Sequence, residues 1–196
     1  MKTRRHGKKK AGREGRKQQR LGLAVAISAI VVVAVVLGYT FLLPAQSILL
    51  GPGAVAPDFE LPMIDAQGML KEKVSLSSLR GKVVFLEFMV SWCKGCQEMA
   101  EAVESLRLDY EPKGVVFISI AGSQRGATAG TTADFIRTYG AHWTYLFDSD
   151  NGVFSRYGIE GTPTFFVVDR SGIVVTRQDG VVSTQGLESA LEVALS

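Results

Sequence analysis

Two cysteines, Cys93 and Cys96, stand in the run Ser91-Trp92-Cys93-Lys94-Gly95-Cys96, and the chain has no others. A structural disulfide stabilises by closing a long loop of the unfolded chain, and a bridge across two residues closes almost none. The pair therefore reads as reactive. A zinc site needs four ligands. No second cysteine pair exists, and the two histidines are His6, in a basic tail, and His142, so no metal site is expected. Thiols at this spacing have a defined chemistry: a thiolate attacks a disulfide sulfur, and its neighbour displaces what has been captured. Cys93 is the expected nucleophile and Cys96 the resolving thiol.

The elements around the pair support that assignment. Residues 82–90 are a near-continuous apolar run, VVFLEFMV after Lys82, as in a strand buried on both faces. Lys94–Tyr110 has helical periodicity, with Met99, Val103, Leu106 and Tyr110 on one stripe and Glu98, Glu101 and Glu104 elsewhere. Cys93 thus falls at a helix N-terminus, where unsatisfied N–H groups and the helix dipole favour negative charge. Such positions, and CxxC motifs in general, lower a thiol pKa to roughly 3.5–7.5. Lys94 pushes the same way, and Lys94 and Gly95 together tune the redox balance of the pair.

Beyond residue 58 strand-like and helix-like stretches alternate, which points to an α/β domain with a central sheet. Strands are expected at Phe59–Ile64, 82–90, Val115–Ala121, Tyr145–Phe147, Thr164–Val168 and Ile173–Arg177. Turns are expected at Asp65-Ala66-Gln67-Gly68 and, as a hairpin, at Asp169-Arg170-Ser171-Gly172. Ser75–Leu79 and Val153–Tyr157 read as short helical turns, Gly122–Gly130 as a loop, and Thr184–Leu195 as a closing helix. A helix over Thr131–Tyr139 has Thr131 or Thr132 as its cap and Gly140 as its stop.

Glu87 interrupts the apolar run six positions before Cys93. A carboxylate in a buried strand is costly unless paired or protonated, and desolvation raises its pKa. The bland reading is a strand-end glutamate reaching solvent. The sharper one is a proton shuttle for Cys96.

Four segments together carry a resemblance. They are Ala56-Pro57-Asp58-Phe59, Leu79-Arg80-Gly81-Lys82-Val83-Val84, Trp92-Cys93-Lys94-Gly95-Cys96 and Gly161-Thr162-Pro163-Thr164. Residues 56–196 resemble the thioredoxin superfamily, and more closely its membrane-anchored TlpA/ResA-type thiol–disulfide oxidoreductases. The resemblance implies a central mixed sheet flanked by helices. It implies that Pro163 is cis and faces the sulfurs, that Thr162 offers its backbone to a substrate chain, and that Trp92 shields one side of the site. It also implies catalysis by Cys93 and Cys96 without a cofactor. In thioredoxins the position of Glu87 holds a buried acid that helps deprotonate the resolving cysteine. TlpA/ResA-type members often have Asn there, and many have a proline where this chain has Gly95.

The remaining sequence bears on location. Residues 1–20 carry ten Lys/Arg against Glu14 alone, while the rest of the chain is mildly acidic. Then come 23 residues without a charge, Leu21–Leu43, enough to span a hydrocarbon core of about 30 Å. The positive-inside rule keeps residues 1–20 in the cytoplasm. A cleaved signal peptide would have a shorter apolar stretch and small residues at its end, which Leu43-Pro44-Ala45 does not match. The expected organisation is a basic cytoplasmic tail (1–20), one uncleaved transmembrane signal-anchor helix (21–43), a Pro/Gly-containing linker (44–57) and a thioredoxin-like domain (58–196) outside the cytoplasm. The basic tail is read as a topology signal and not as a nucleic-acid arm.

The expected partners are exported protein thiols and disulfides and a membrane electron donor. The resemblance suggests apocytochrome c as a substrate, and so a place in cytochrome c biogenesis. A thiol oxidase would use the same fold in the opposite direction. A peroxiredoxin would place Thr three and Pro seven residues before its reactive cysteine. Val90 and Leu86 stand there before Cys93, and Cys93 and Met89 before Cys96. A copper-binding assembly protein of the Sco type would use CxxxC spacing and a downstream histidine, for which His142 is the available residue.

Overall fold

Seven consecutive enclosed side chains, Val83–Met89, form the central strand. The computed structural model describes residues 32–33, 50–139 and 142–196. Within 50–196 the strands are β1 (Glu60–Asp65), β2 (Gly68–Ser75), β3 (Val83–Met89), β4 (Val115–Gly122), β5 (Thr144–Asp148), β6 (Thr164–Val168) and β7 (Val174–Asp179). The helices are α1 (Lys94–Tyr110), α2 (Ala129–Tyr139), α3 (Gly152–Arg156) and α4 (Thr184–Leu195). One mixed sheet runs β2-β1-β5-β4-β3-β6-β7. β3, β4 and β5 are parallel, and the other neighbours pair antiparallel. The mixed α/β sheet implied by the resemblance is therefore present.

β3 reads as an unbroken apolar run because both of its faces are covered. Alternation sends Val83 and Phe85 to one face, with Met99, Val103 and Leu106 of α1 and Leu187 and Leu191 of α4. It sends Val84, Leu86 and Phe88 to the other, with Phe154, Tyr157 and Phe166. Phe85 stacks on Phe117 at 4.8 Å between centroids, and Phe88 lies 4.9 Å from Tyr157. Each such enclosed ring contributes on the order of 1.5–3 kcal/mol from burial. The stripe expected on α1 is the one buried: Met99, Val103, Leu106 and Tyr110, joined by Cys96 and Ala100.

Several details differ from expectation. β2 carries no sequence signal because it is an edge strand with no fully buried side chain, and Lys71, Glu72 and Lys73 are exposed. The helical turn expected at Ser75–Leu79 is a single 3-10 turn, Ser77–Leu79. α2 begins at Ala129, and its cap is Thr128, not Thr131 or Thr132. Thr128 Oγ1 accepts from Thr131 N at 3.2 Å and Thr131 Oγ1 accepts from Thr128 N at 2.9 Å. This is a reciprocal capping box, with threonine in place of the usual Glu or Gln. Within the stretch expected as linker, Gly53 N donates to Val174 O, Val174 N to Ala54 O and Ala56 N to Gly172 O. These bonds tie residues 53–56 to the outer edge beside β7.

The tail, the stop at Gly140 and, apart from Val32 and Val33, the 21–43 segment lie outside the described residues. No helix among the described residues is long and apolar enough to cross a membrane.

Candidate active site

β3 delivers the chain to a tight turn, closed by Cys93 N donating to Val90 O at 3.0 Å, and α1 starts at once. Cys93 is the N-cap of α1. Its backbone is extended, and its Sγ accepts from Cys96 N at 3.1 Å, where a capping oxygen usually sits. The same N–H groups favour negative charge on that sulfur once it is reduced. No acidic residue lies in the first turn of α1 to oppose this, and Lys94 there is exposed.

Cys93 and Cys96 are joined in a disulfide, with Cα atoms 5.3 Å apart. Cys93 keeps 4% of its surface and Cys96 none. A substrate sulfur can therefore approach Cys93, while Cys96 is reached through Cys93. That asymmetry separates nucleophile from resolving thiol.

Pro163 is cis, as the resemblance implied, and buried. It lies against the Cys-Lys-Gly-Cys turn. A Cβ at Gly95 would meet Pro163 Cδ and Val181 Cγ2, each at 3.0 Å. Gly95 is thus the residue that lets this loop close on α1. Gly95→Ala is expected to push the exposed Val181 aside and press on the proline ring. We expect kcat/KM for a protein disulfide to fall several-fold with the fold intact, measured by insulin reduction and circular dichroism. An unchanged kcat/KM would show that the close approach has no role in exchange.

β7 holds the Pro163 loop in place. Arg177 donates to Tyr157 O at 3.2 Å and Gly158 O at 3.0 Å, and pairs with Asp179 at 2.9 Å. Thr164 Oγ1 donates to Asp179 Oδ1 at 2.8 Å, and Gly180 N donates to Pro163 O at 2.7 Å. Its neighbour Thr162, half-buried, lines a 320 Å³ cleft with Glu160, Arg177 and Asp179.

On the other side stands Trp92, 46% exposed. Its Nε1 donates to Gln124 O at 3.1 Å, and the Arg125 guanidinium lies 5.9 Å from its ring. Ser91 and Thr131 hydroxyls meet at 2.7 Å, so the cap of α2 also fixes this loop. Trp92, Phe135 and Tyr139 line a 420 Å³ groove. Gln124, Arg125, Arg177 and Asp179 were not singled out from sequence, because nothing local marks a loop carbonyl or the polar face of a hairpin.

Glu87 does not reach solvent in the way the bland reading required, since 3% of it is exposed. It occupies the α1-facing side of β3, next to Phe85 in the alternation. Burial pushes its carboxyl up to about 7, against the opposing pull of the Ser119 hydroxyl, which donates to Oε2 at 2.5 Å. His142 lies at the start of β5, the opposite end of the parallel strands from Cys93, with Nδ1 3.3 Å from Glu104.

A mixed sheet that presents a CxxC disulfide at a helix N-terminus, closed by a cis-proline loop, defines a thioredoxin-like thiol–disulfide oxidoreductase. Comparison with known proteins agrees. Residues 52–177 match the AhpC/TSA family, and the chain belongs to it. Thiol-disulfide oxidoreductase ResA of Bacillus anthracis is 31% identical over 140 residues, covering 71% of this chain and 76% of that protein. ResA of Geobacillus kaustophilus (strain HTA426) is 29% identical over 179 residues, covering 90% of this chain and 97% of the relative. Among solved structures, a protein from Chlorobium tepidum assigned as thiol:disulfide interchange protein DsbE superposes with a TM-score of 0.67 at 30% identity, covering 75% of this chain and 99% of that one. This chain is therefore an enzyme of the ResA/DsbE type.

Proposed function

We propose that this enzyme is a membrane-anchored reductase that keeps the cysteines of exported proteins, apocytochrome c among them, in the thiol state outside the cytoplasm. The observation that carries the catalytic part is the asymmetric pair, with Cys93, the N-cap of α1, keeping a small accessible edge and Cys96 fully enclosed behind it. The Cys93 thiolate attacks a substrate disulfide and releases one substrate thiolate, which takes a proton from water. The mixed disulfide holds the second substrate sulfur on Cys93. Cys96 passes its proton to the Glu87 carboxylate and attacks Cys93 Sγ, the second substrate sulfur leaves as a thiolate that takes a proton from water, and Glu87 returns its proton to solvent. The substrate has gained two electrons and the enzyme has become the Cys93–Cys96 disulfide. A membrane dithiol donor returns two electrons to complete the cycle. Trp92 and Thr162 border the grooves on either side of Cys93, where the substrate chain would lie.

The anchor reading rests on the uncharged Leu21–Leu43 segment behind ten Lys/Arg. The Geobacillus kaustophilus ResA match covers 90% of this chain, so it extends into that segment. Direction is tested by the equilibrium reduction potential of the full-length chain. A value well below the poise of the compartment supports the reductase. A value near roughly −120 mV, that of a strong oxidant, would make the protein a disulfide donor instead.

A further inference from the structure

At one level of the sheet, the register sets Glu87 of β3 beside Ser119 of β4, and Ser119 beside Tyr145 of β5. All three are enclosed. Ser119 Oγ donates to Glu87 Oε2 at 2.5 Å, and Trp143 Nε1 donates to Ser119 Oγ at 2.7 Å. An indole N–H can donate and cannot accept. Trp143 therefore obliges Ser119 to accept from it, which leaves the single hydroxyl proton of Ser119 for the carboxylate. The direction of this bond is set by a ring on the far side of the serine. A buried serine usually satisfies its hydroxyl on nearby backbone; here it is engaged from both sides by side chains.

We propose that Ser119, aimed by the Trp143 indole, is the positioning residue for the Glu87 proton. This rests on the proton role assigned to Glu87 above. Cys96 lies in the first turn of α1, which starts five residues after β3 ends. Ionised Glu87 has Ser119 as its hydrogen-bond donor among the described residues, and burial opposes its charge. The titratable groups around the row are few. Cys96, once reduced, and Glu104 come from α1. The Glu104 carboxylate is engaged by Arg107 at 2.8 Å and by His142. Tyr145 comes from β5, and burial followed by the Glu87 charge holds its phenol neutral. The Tyr145 hydroxyl is enclosed next to Ser119, and its ring lies 5.3 Å from that of Trp143. Among the described residues no cation is close enough to replace Ser119 as the group that stabilises the carboxylate.

The test follows the Glu87 carboxyl of the full-length chain by ¹³C NMR titration, with the signal assigned through Glu87→Gln. Mixed-disulfide resolution is measured over the same pH range. Ser119→Ala is expected to move both midpoints upward by about one pH unit or more, the scale of one lost hydrogen bond to a charged group. Ser119→Thr, which keeps the hydroxyl, should restore them. Trp143→Phe keeps a ring, removes the N–H, and should shift both midpoints upward by less. It decides the matter alone if Ser119→Ala does not fold. Unmoved midpoints in Ser119→Ala or, failing that variant, in Trp143→Phe would overturn the positioning role, provided Glu87→Gln still abolishes the midpoint of resolution. A resolution profile unchanged in Glu87→Gln would instead overturn the proton role of Glu87 itself.

Discussion

Cys96→Ser is expected to stop the reaction halfway, with the full-length chain accumulating as a covalent mixed disulfide with its substrate. The reason is geometric. Cys93 caps α1 and keeps a small accessible edge, whereas Cys96 keeps none. The first attack needs Cys93 alone, and a serine at 96 does not impede it. Release needs a second thiolate aligned with Cys93 Sγ, and a serine hydroxyl at neutral pH is far too weak a nucleophile to supply it. Turnover should fall on the order of 10³-fold or more, the scale seen when a covalent-catalysis residue is removed. Cys93→Ala should lose turnover to the same degree without any adduct. Non-reducing electrophoresis and mass spectrometry read the two outcomes. An adduct formed through Cys96 in Cys93→Ser would mean that the enclosed sulfur is the one substrates reach, and the assignment of roles would reverse.

The chemistry was more legible in the sequence than the scaffolding that tunes it. α1 and α4 are readable from a periodic apolar stripe and β6 from a short unbroken apolar run, and the structure has their expected bounds. Cys93 and Cys96 were legible for the same reason, since a strand followed by a helix fixes where the motif sits. β2 was not, because an edge strand with exposed charged side chains has no apolar alternation to detect. Thr128 was missed as a cap because its reciprocal partner is Thr131, where a Glu or Gln would have marked the box. Ser119, Trp143, Arg177 and Gln124 act across strands or between loops. Apart from Asp179, two residues from Arg177, their partners lie 19 or more residues away, and no local spacing encodes such pairs. Glu87 stands between: its oddity within an apolar run was visible, but the hydroxyl that meets it was not.

Glu87 also gives stability a pH dependence whose sign is opposite to that of a paired surface acid. In the folded chain its carboxyl is held up to about 7, and in the unfolded chain it returns to 4.5. Below 4.5 both states hold the proton. As pH rises from there toward 7, the unfolded chain releases the proton first, so the folded state binds more protons and stability declines with pH. Above 7 both states are ionised and the full penalty is present, roughly 3 kcal/mol across the window. In the oxidised protein neither cysteine titrates, and the other ionisable groups are common to wild type and variant. Glu87→Gln keeps an acceptor for Ser119 and has no charge to desolvate. It should therefore remove this part of the slope and be more stable than wild type at pH 8 by about 1–3 kcal/mol, while the two converge near pH 4.5. Urea unfolding of the oxidised full-length chain from pH 4.5 to 8, followed by tryptophan fluorescence, measures the difference. Parallel stability curves for the two proteins would show that Glu87 carries its charge without penalty. A carboxyl that lowers stability near neutral pH in the middle of an apolar strand is a group whose proton is available for exchange there. In the proposed cycle it is this group that takes the Cys96 proton before the mixed disulfide is resolved.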